Sequence, residues 1–289
     1  MTRYALRHST AYDYESVVDL AAHLLHLTPR ALPGQQVEAS RLVFSPAPSH
    51  RRDGLDHFGN MTTWMFLHAP HGRFAVTLDA TVEVDFAPPP FASQTPPWEV
   101  VREAVRARAG WQAAEFALPS ALAAPHAAAG AYARASFPPG RPILAALREL
   151  TSRIKRDFAF RPGATTVSTP VAQVMARRAG VCQDFAHTMI AGLRTLGLPA
   201  RYVSGYVRTN PPPGQVRRQG ADASHAWVGC WMGPDLGWVD LDPTNDLVVA
   251  DEHVVLGWGR DYADISPVKG LLLGGGRQEL EVAVDLVPV

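Results

Sequence analysis

The order of patterns along the sequence predicts an α+β fold, with an N-terminal antiparallel β domain followed by a core of helices and strands. The segment Arg73–Phe86 alternates strictly between apolar and polar residues, a proline-rich segment follows it, and apolar residues at helical spacing begin at Trp98. We expect residues 1–88 to form the β-rich domain and residues 89–97 to be a linker, because closely spaced prolines neither pair in a sheet nor continue a helix. Residues 98–289 would then form the core, with a C-terminal strand.

The alternating segment is the strongest strand signal in the chain. Its apolar face consists of Phe74, Val76, Leu78, Ala80, Val82, Val84 and Phe86. Further strands are predicted at 4–14, 35–46 and 60–70, with turns at 56–60 and 69–73. These elements predict an all-β unit, for example a small sandwich.

Three helices are predicted before the last strands. Arg141–Phe158 carries apolar residues at helical spacing. A second helix begins near Pro170 and ends at Gly180, and a third begins at Cys182 and ends at Gly197. A strand, a long polar loop and a hairpin follow, and the alternating segment 278–287 predicts a last strand that returns to a sheet.

Composition and charge exclude several classes of function. The formal net charge is zero, so no basic surface is expected to bind nucleic acid. The sequence has no apolar run long enough to span a membrane and no apolar leader at its start, which predicts a cytoplasmic protein. The two cysteines, Cys182 and Cys230, could form one disulfide, but one disulfide is not a framework for a chain of this size.

Cys182 is the first candidate catalytic residue because of its position at the start of a helix. Only the thiolate is a nucleophile, and the unpaired N–H groups of a first helical turn favour a negative charge beside them. The same N–H groups can bind an oxyanion. The competing interpretation is a small apolar core residue, since free cysteines are often buried.

The predicted hairpin supplies a candidate base and an acid that orients it. A turn at Gly233-Pro234 pairs His225 directly with Asp242, and opposed residues point to the same face of a sheet. Asp242 could then accept the Nδ1 proton of His225 and leave Nε2 facing the sulfur. Asp240 lies on the same face, but pairing it with His225 would move the turn away from Gly233-Pro234. The competing interpretation of Asp242-Pro243-Thr244 is a turn at a strand end.

Zinc binding is the competing use of cysteine and histidine, and the spacing disfavours it. Cys182 and His187 would lie about 140° apart around their helix. His225 and Cys230 are separated by an odd number of strand positions and face opposite sides, so Cys230 is predicted to lie in the core. We expect no metal site and no cofactor.

Three polar residues follow the cysteine within about one turn of the helix: Gln183, Asp184 and His187. They could adjust the reactivity of Cys182 or form only local hydrogen bonds. Trp227 shares the predicted face of His225 and could form one wall of a pocket.

At these residues the sequence resembles the bacterial transglutaminase-like cysteine enzymes of the papain-like superfamily. The resemblance rests on "GVCQDFAH", "ARYVSGY", "ASHAWV" and "WVDLDPTN", which occur in the family's order, and on "RHSTAYDYESVV" and "DHFGN", which resemble its N-terminal β-rich region. It implies a papain-like/transglutaminase-like core in which the cysteine helix packs on an antiparallel sheet. It also implies Cys182 as nucleophile, His225 as general base and acid, and Asp242 as the residue that orients the histidine.

The predicted reaction is acyl transfer from a peptide or protein amide through a thioester. Water as acceptor gives hydrolysis, as in a cysteine protease or amidase, and an amine gives transamidation. We expect hydrolysis, because no sequence feature clearly excludes water. Acyl transfer from a thioester such as acyl-CoA is a competing hypothesis, and a non-catalytic scaffold of the same fold is another. The sequence does not predict an oligomeric state.

The loop Thr209–Ser224 leads directly into His225 and is long enough to suggest a function. We expect it to border the cleft, where Arg217 and Arg218 could contact an acidic group of the substrate. The competing interpretation is a solvated loop without such a role.

Overall fold

The computed structural model describes residues 1–209 and 223–289, which form an α+β fold as predicted. Its strands are β1 (Thr2–Leu25), β2 (Gln35–Ser45), β3 (His50–Leu55), β4 (Met61–Leu67), β5 (His71–Val84), β6 (Ala159–Phe160), β7 (Ala179–Gly180), β8 (Ala200–Val207), β9 (Ala223–Trp231), β10 (Trp238–Asp242), β11 (Leu247–Val248), β12 (His253–Gly259), β13 (Val268–Gly274) and β14 (Gln278–Pro288). Its α-helices are α1 (Trp98–Ala104), α2 (Trp111–Ala114), α3 (Ala127–Arg134), α4 (Ile143–Asp157), α5 (Val171–Arg177), α6 (Cys182–Thr195) and α7 (Tyr262–Ile265).

The first sheet contains seven strands and is organised around β1. Its path is β2-β5-β1-β4-β3, and β13 and β14 also pair with β1. The register of β1 against β5 shifts between Asp13 and Val18; the first half of β1 pairs with β5 and β14, and the second half pairs with β4 and β13. The strands therefore form two halves that share β1, β2-β5-β1-β14 and β3-β4-β1-β13. Apolar residues of both halves, such as Met65 from β4 and Leu78 from β5, lie in one core.

The ends of the chain meet in this first sheet. The predicted C-terminal strand is β14, which pairs with β1 along its whole length from Tyr4↔Pro288 to Tyr14↔Gln278. The first sheet thus contains strands from beyond residue 98, and the domain boundaries at 88 and 97 stay predictions.

The alternating segment forms β5 as far as Val84, and its apolar residues within the strand are buried as the pattern predicts, while Phe86 beyond the strand is partly buried. Phe74, Val76, Leu78, Val82 and Val84 are completely buried. The strand β3 was not predicted, because all six of its residues are exposed and no apolar alternation marks it.

The second sheet has the order β11-β10-β9-β8-β12 and provides the strands of the candidate site. Helix α6 contributes Phe185, Met189 and Leu193 to the same apolar core as Val228 and Leu241 of the sheet. The predicted packing of the cysteine helix on an antiparallel sheet is therefore observed.

The junction between α5 and α6 determines where the cysteine helix begins. Helix α5 ends at Arg177, and the next residue, Arg178, has a φ of 50° in the left-handed region, two residues before the predicted stop at Gly180. The intervening β7 pairs in parallel with β6. Cys182 then opens α6, and Gly197, with a φ of 76°, follows its end as predicted.

Residues 210–222 lie outside the part of the chain that the structure describes. The loop predicted to border the cleft falls largely on them, including Arg217 and Arg218. Its role stays a prediction.

Candidate active site

Cys182 is the first residue of α6 and is a partly buried free thiol. The start of the helix is fixed by Asp184, whose Oδ2 accepts hydrogen bonds from the Val181 N–H at 2.8 Å and from the Thr165 hydroxyl at 2.6 Å. A Cβ atom at Gly180 would lie 2.6 Å from the same Oδ2, so the close approach of this carboxylate requires glycine there. The sulfur is therefore held at the N-terminus of a capped helix.

The other polar residues near Cys182 form local hydrogen bonds. The Gln183 side-chain amide donates to the Val167 carbonyl at 2.9 Å, and His187 Nε2 accepts from the Tyr262 N–H at 3.2 Å. Burial lowers the pKa of His187 to about 4. These contacts favour the local interpretation for Gln183 and His187, while Asp184 stabilises the helix start that bears the cysteine.

The structure brings His225 and Asp242 together. The Nε2 of His225 lies 2.7 Å from Asp242 Oδ2, and both residues are buried. The predicted register was wrong, because Trp231 pairs with Trp238 and Val228 pairs with Leu241. The hairpin turn is longer than Gly-Pro. Continued to His225, the observed register places residue 244 opposite the histidine, so Asp242 lies two positions away and reaches His225 diagonally. Since a shift of two keeps each side chain on its face, the contact survives the error.

The predicted assignment of the two ring nitrogens was also wrong. Asp242 contacts Nε2 of His225 and not Nδ1, the nitrogen expected from direct strand pairing. Nδ1 is therefore the ring nitrogen that Asp242 leaves for the sulfur, and the neighbouring Cys182 contributes to the raised pKa of His225.

These contacts determine the charge of the imidazole. Burial alone lowers the pKa of His225, but the hydrogen bonds to Asp242 and Cys182 outweigh it and raise the pKa from 6.5 to about 10. For Asp242, burial raises the pKa, but hydrogen bonds from His225, His253 and Asn245 together hold it far below its ordinary value. His225 is thus a cation and Asp242 an anion near neutral pH.

Asp242 accepts hydrogen bonds on both of its oxygens. Oδ1 accepts from the backbone N–H groups of Thr244 at 2.8 Å and Asn245 at 3.2 Å. Oδ2 accepts from the Asn245 side-chain amide at 2.7 Å and lies 2.7 Å from His225 Nε2 and 3.3 Å from His253 Nε2. The turn that was the competing interpretation of this segment is therefore present, and it orients the carboxylate that contacts His225.

Trp227 lies beneath this group on the same face of the sheet. Its ring is tilted against His225 at 6.1 Å between centroids, and its Nε1–H donates to Asp240 Oδ2 at 3.0 Å. A Cβ atom at Gly205 would lie 2.4 Å from the Trp227 ring and 2.1 Å from the Val254 carbonyl. Asp240 thus holds the Trp227 ring in place. Its other oxygen, Oδ1, accepts a hydrogen bond from Arg201 Nη2 at 3.4 Å, so both of its oxygens have partners other than His225.

The described residues contain one group of three side chains that could hold a metal ion, formed by His225, Asp242 and His253. Their candidate ligand atoms lie within 4.8 Å of one another. Both imidazoles already direct Nε2 at Asp242 Oδ2, so hydrogen bonding within the group satisfies the carboxylate.

Cys230 is a buried free thiol in the apolar core, where burial raises its pKa well above its ordinary value.

Two residues that contact Asp242 were not predicted from the sequence. Asn245 follows it by three positions, and an Asp with a polar residue shortly after it is the usual signal for such a turn. His253 had no detectable signal, because it reaches the site from β12, which lies on the opposite side of β8 from β9 and β10.

Comparison with known proteins identifies the family of this chain. Residues 4–83 match the bacterial transglutaminase-like N-terminal region, and residues 131–243, which include Cys182, His225 and Asp242, match the transglutaminase-like superfamily. The chain belongs to the transglutaminase-like superfamily. An uncharacterized protein of Mycobacterium tuberculosis is 42% identical over 99% of this chain and 93% of its own length, and one of Mycobacterium leprae is 34% identical over 99% of both chains.

Two further proteins resemble this chain in part of the sequence or in fold. A protein-glutamine gamma-glutamyltransferase of Pseudomonas aeruginosa is 33% identical over 117 residues, which are 40% of this chain but 17% of that protein. The crystal structure of a candidate cysteine protease from Cytophaga hutchinsonii superposes with a TM-score of 0.73, at 19% identity, over 100% of this chain and 91% of that one. At 19% identity, the likeness to the Cytophaga hutchinsonii structure shows a shared fold.

Among the described helices, none is long and apolar enough to cross a bilayer.

Proposed function

We propose that this transglutaminase-like protein is a cysteine-dependent enzyme that cleaves a peptide or protein amide through a thioester and passes the acyl group to water. The proposal rests mainly on the His225 imidazole, which contacts both the Cys182 thiol and the Asp242 carboxylate and has a pKa raised to about 10. An imidazolium beside a sulfur at a helix N-terminus favours the thiolate, which is the nucleophilic form of cysteine.

In the proposed reaction, Cys182 provides the nucleophile and His225 transfers the proton. The sulfur attacks the amide carbonyl and an S–C bond forms. His225 then donates its proton to the leaving nitrogen while the C–N bond breaks, which leaves a thioester. A water molecule gives its proton to His225 as it attacks, the S–C bond breaks, and the carboxylic acid product leaves. Asp242 keeps the ring in position through both steps.

The negative oxygen that forms during each attack requires hydrogen-bond donors. The backbone N–H of Cys182 is one donor, because the first N–H groups of a helix have no acceptor within it. We propose the Tyr202 hydroxyl as the second, because Tyr202 belongs to the apolar core against which Cys182 packs and a protonated phenol is a hydrogen-bond donor. The Gln183 side-chain amide donates one of its two N–H groups to the Val167 carbonyl.

Transfer to an amine is the second candidate for the same thioester. It is favoured by the relative from Pseudomonas aeruginosa, whose name describes glutamine gamma-glutamyl transfer and whose similarity covers 40% of this chain. We favour water because Cys182 is only partly buried, and an enzyme that transfers to amines must keep water away from its thioester.

The free thiols of Cys182 and Cys230 are compatible with the reducing cytoplasm that we propose as the location.

The proposed reaction can be tested with p-nitrophenyl acetate and with glutamine-containing peptides. The activated ester should release nitrophenol and leave an acetyl group on Cys182, which mass spectrometry of the intact protein and its peptides can locate. Cys182→Ala is the blank. A wild-type protein that forms no covalent adduct with the ester or with any other electrophile would contradict an enzymatic function and support a scaffold.

The acceptor is determined in the same assay by adding cadaverine, a primary amine. Hydrolysis converts a glutamine side chain to glutamate, whereas transfer adds the mass of the amine with loss of ammonia. We expect the hydrolysed product to predominate in the presence of the amine. A product that consists mainly of the amine adduct would contradict hydrolysis and leave the thioester mechanism intact.

A further inference from the structure

We propose that His253 is a positioning residue, which fixes the Asp242 carboxylate and through it the imidazole of His225. The inference rests on the proposed function and assigns a fourth side chain to the group. His253 Nε2 lies 3.3 Å from Asp242 Oδ2, the same oxygen that His225 contacts at 2.7 Å. Two imidazoles from different strands therefore converge on one carboxylate oxygen.

The surroundings of His253 indicate which nitrogen carries the proton. The residue is 1% exposed, and Nδ1 is buried without a hydrogen-bond partner among the described residues. A proton on Nδ1 would be a buried donor left unsatisfied, and this costs more than an unused acceptor. Nε2 is thus the donor, and Asp242 is its acceptor.

The packing of the ring leaves it little freedom. The His253 ring stands edge-on against Trp227 at 5.1 Å between centroids, with an interplanar angle of 80°. Trp227 is in turn held by Asp240 and lies against Gly205. A donor that cannot move defines the direction from which the Asp242 oxygen accepts, so it limits rotation of the carboxylate away from His225.

A donor role and a packing role predict opposite orders for two variants. His253→Phe keeps the flat ring against Trp227 but removes the N–H, whereas His253→Gln keeps an N–H donor at a similar reach but removes the ring. The rate of Cys182 alkylation by iodoacetamide at about pH 6 measures the thiolate–imidazolium pair and requires no known substrate. Asp242 should hold His225 less well only in the phenylalanine variant.

We expect His253→Phe to lower the alkylation rate by about 3- to 10-fold, which corresponds to the loss of one hydrogen bond. His253→Gln should stay within about twofold of wild type on the same scale. His8→Gln, which replaces a buried histidine of the first sheet, is the matched control and should not change the rate. A phenylalanine variant at least as reactive as the glutamine variant would overturn the donor role.

The wild-type protein separates this proposal from the proposed function. Wild-type Cys182 that reacts no faster than a free thiol would count against the ion pair itself, and therefore against both. Should a variant fail to fold, ¹H–¹⁵N spectra of the imidazole rings in the unmodified protein provide an independent test. We expect His253 to carry its proton on Nε2; a proton on Nδ1 alone would overturn the proposal, because Nε2 could then not donate to Asp242.

Discussion

Histidines are buried in both the first and the second sheet, but the pKa of the imidazole is lowered in the first and raised in the second. In the first sheet His8 contacts the hydroxyl groups of Tyr206 and Thr10, and burial lowers its pKa from 6.5 to about 4. In the second sheet His225 is also buried, but Asp242 and Cys182 raise its pKa to about 10. Burial among neutral partners selects the uncharged ring, and only an anionic partner reverses that preference.

The difference explains why this site is chemically distinct from the rest of the interior. His23 and His187, like His8, have a pKa lowered to about 4 by burial. Of these four buried histidines, His225 has the raised pKa. A cationic ring beside a thiol is the feature that supports acyl-transfer chemistry, and each part of it can be tested by substitution.

The largest effect is expected for Cys182→Ala. Removing the sulfur removes the site of the thioester, so the rate of amide or ester cleavage should fall by about 10³-fold or more. Steady-state assays with the p-nitrophenyl ester measure this loss. Cys230→Ala is the matched control, because Cys230 lies in the apolar core away from the His225 face. Equal losses in the two variants would argue against a specific role for Cys182.

Asp242→Asn should lower kcat by about 10² to 10⁴-fold, since an asparagine cannot hold the imidazolium or accept from the same set of donors. Asp240→Asn is the comparator from the same strand and face. Asp240 contacts Trp227 and Arg201 instead of His225, so its substitution should cost less than about tenfold. A larger loss for Asp240→Asn than for Asp242→Asn would support the opposite assignment of the two carboxylates.

Gly205→Ala should destabilise the second sheet by about 2 to 4 kcal/mol, because the new methyl group would overlap the Val254 carbonyl and the Trp227 ring. Gly72→Ala in the first sheet is the control, since a Cβ there meets nothing within 4 Å. Urea unfolding measures both. Equal unfolding free energies for the two variants would mean that Trp227 does not pack on Gly205.

The pH dependence of stability should differ in sign between the two regions. For His8 the folded-state pKa is depressed, so its contribution to stability is present above pH 6.5 and is lost as pH falls toward 4. For His225 the folded-state pKa is raised, so its contribution is present below pH 6.5 and is lost as pH rises toward 10. At about 1.4 kcal/mol per pKa unit, these shifts correspond to at most about 3 kcal/mol for His8 and about 5 kcal/mol for His225.

Two substitutions separate these contributions in unfolding curves recorded across the pH range. His8→Gln should reduce the loss of stability on the acid side, and His225→Gln should reduce the loss on the alkaline side. Both variants acting on the same side of the pH range would contradict the difference between the two sheets.

Local patterns in the sequence predicted much of the fold and the three candidate residues. Period two identified β5, and helical spacing with a following glycine identified α6 and its cysteine. The face of each strand residue was predicted more reliably than its exact partner. An error of two positions in the hairpin register therefore still left Asp242 against His225, but at the other ring nitrogen.

What the sequence could not predict depends on contacts between distant segments. The return of β13 and β14 to β1 is a pairing between the two ends of the chain. His253 belongs to a strand that approaches Asp242 across the sheet, and strand order is not encoded in local periodicity. The polar strand β3 has no buried face, so no apolar alternation marks it.

The central claim is that the charged His225 imidazole activates Cys182, and the pH dependence of alkylation tests it most directly. Iodoacetamide should modify Cys182 of the wild-type protein rapidly at about pH 6, where a free thiol is largely protonated. His225→Ala should lose this rapid reaction, with mass spectrometry of the labelled peptide distinguishing Cys182 from Cys230. Labelling of wild-type Cys182 at the rate of a free thiol, or an unchanged rate in His225→Ala, would contradict this activation.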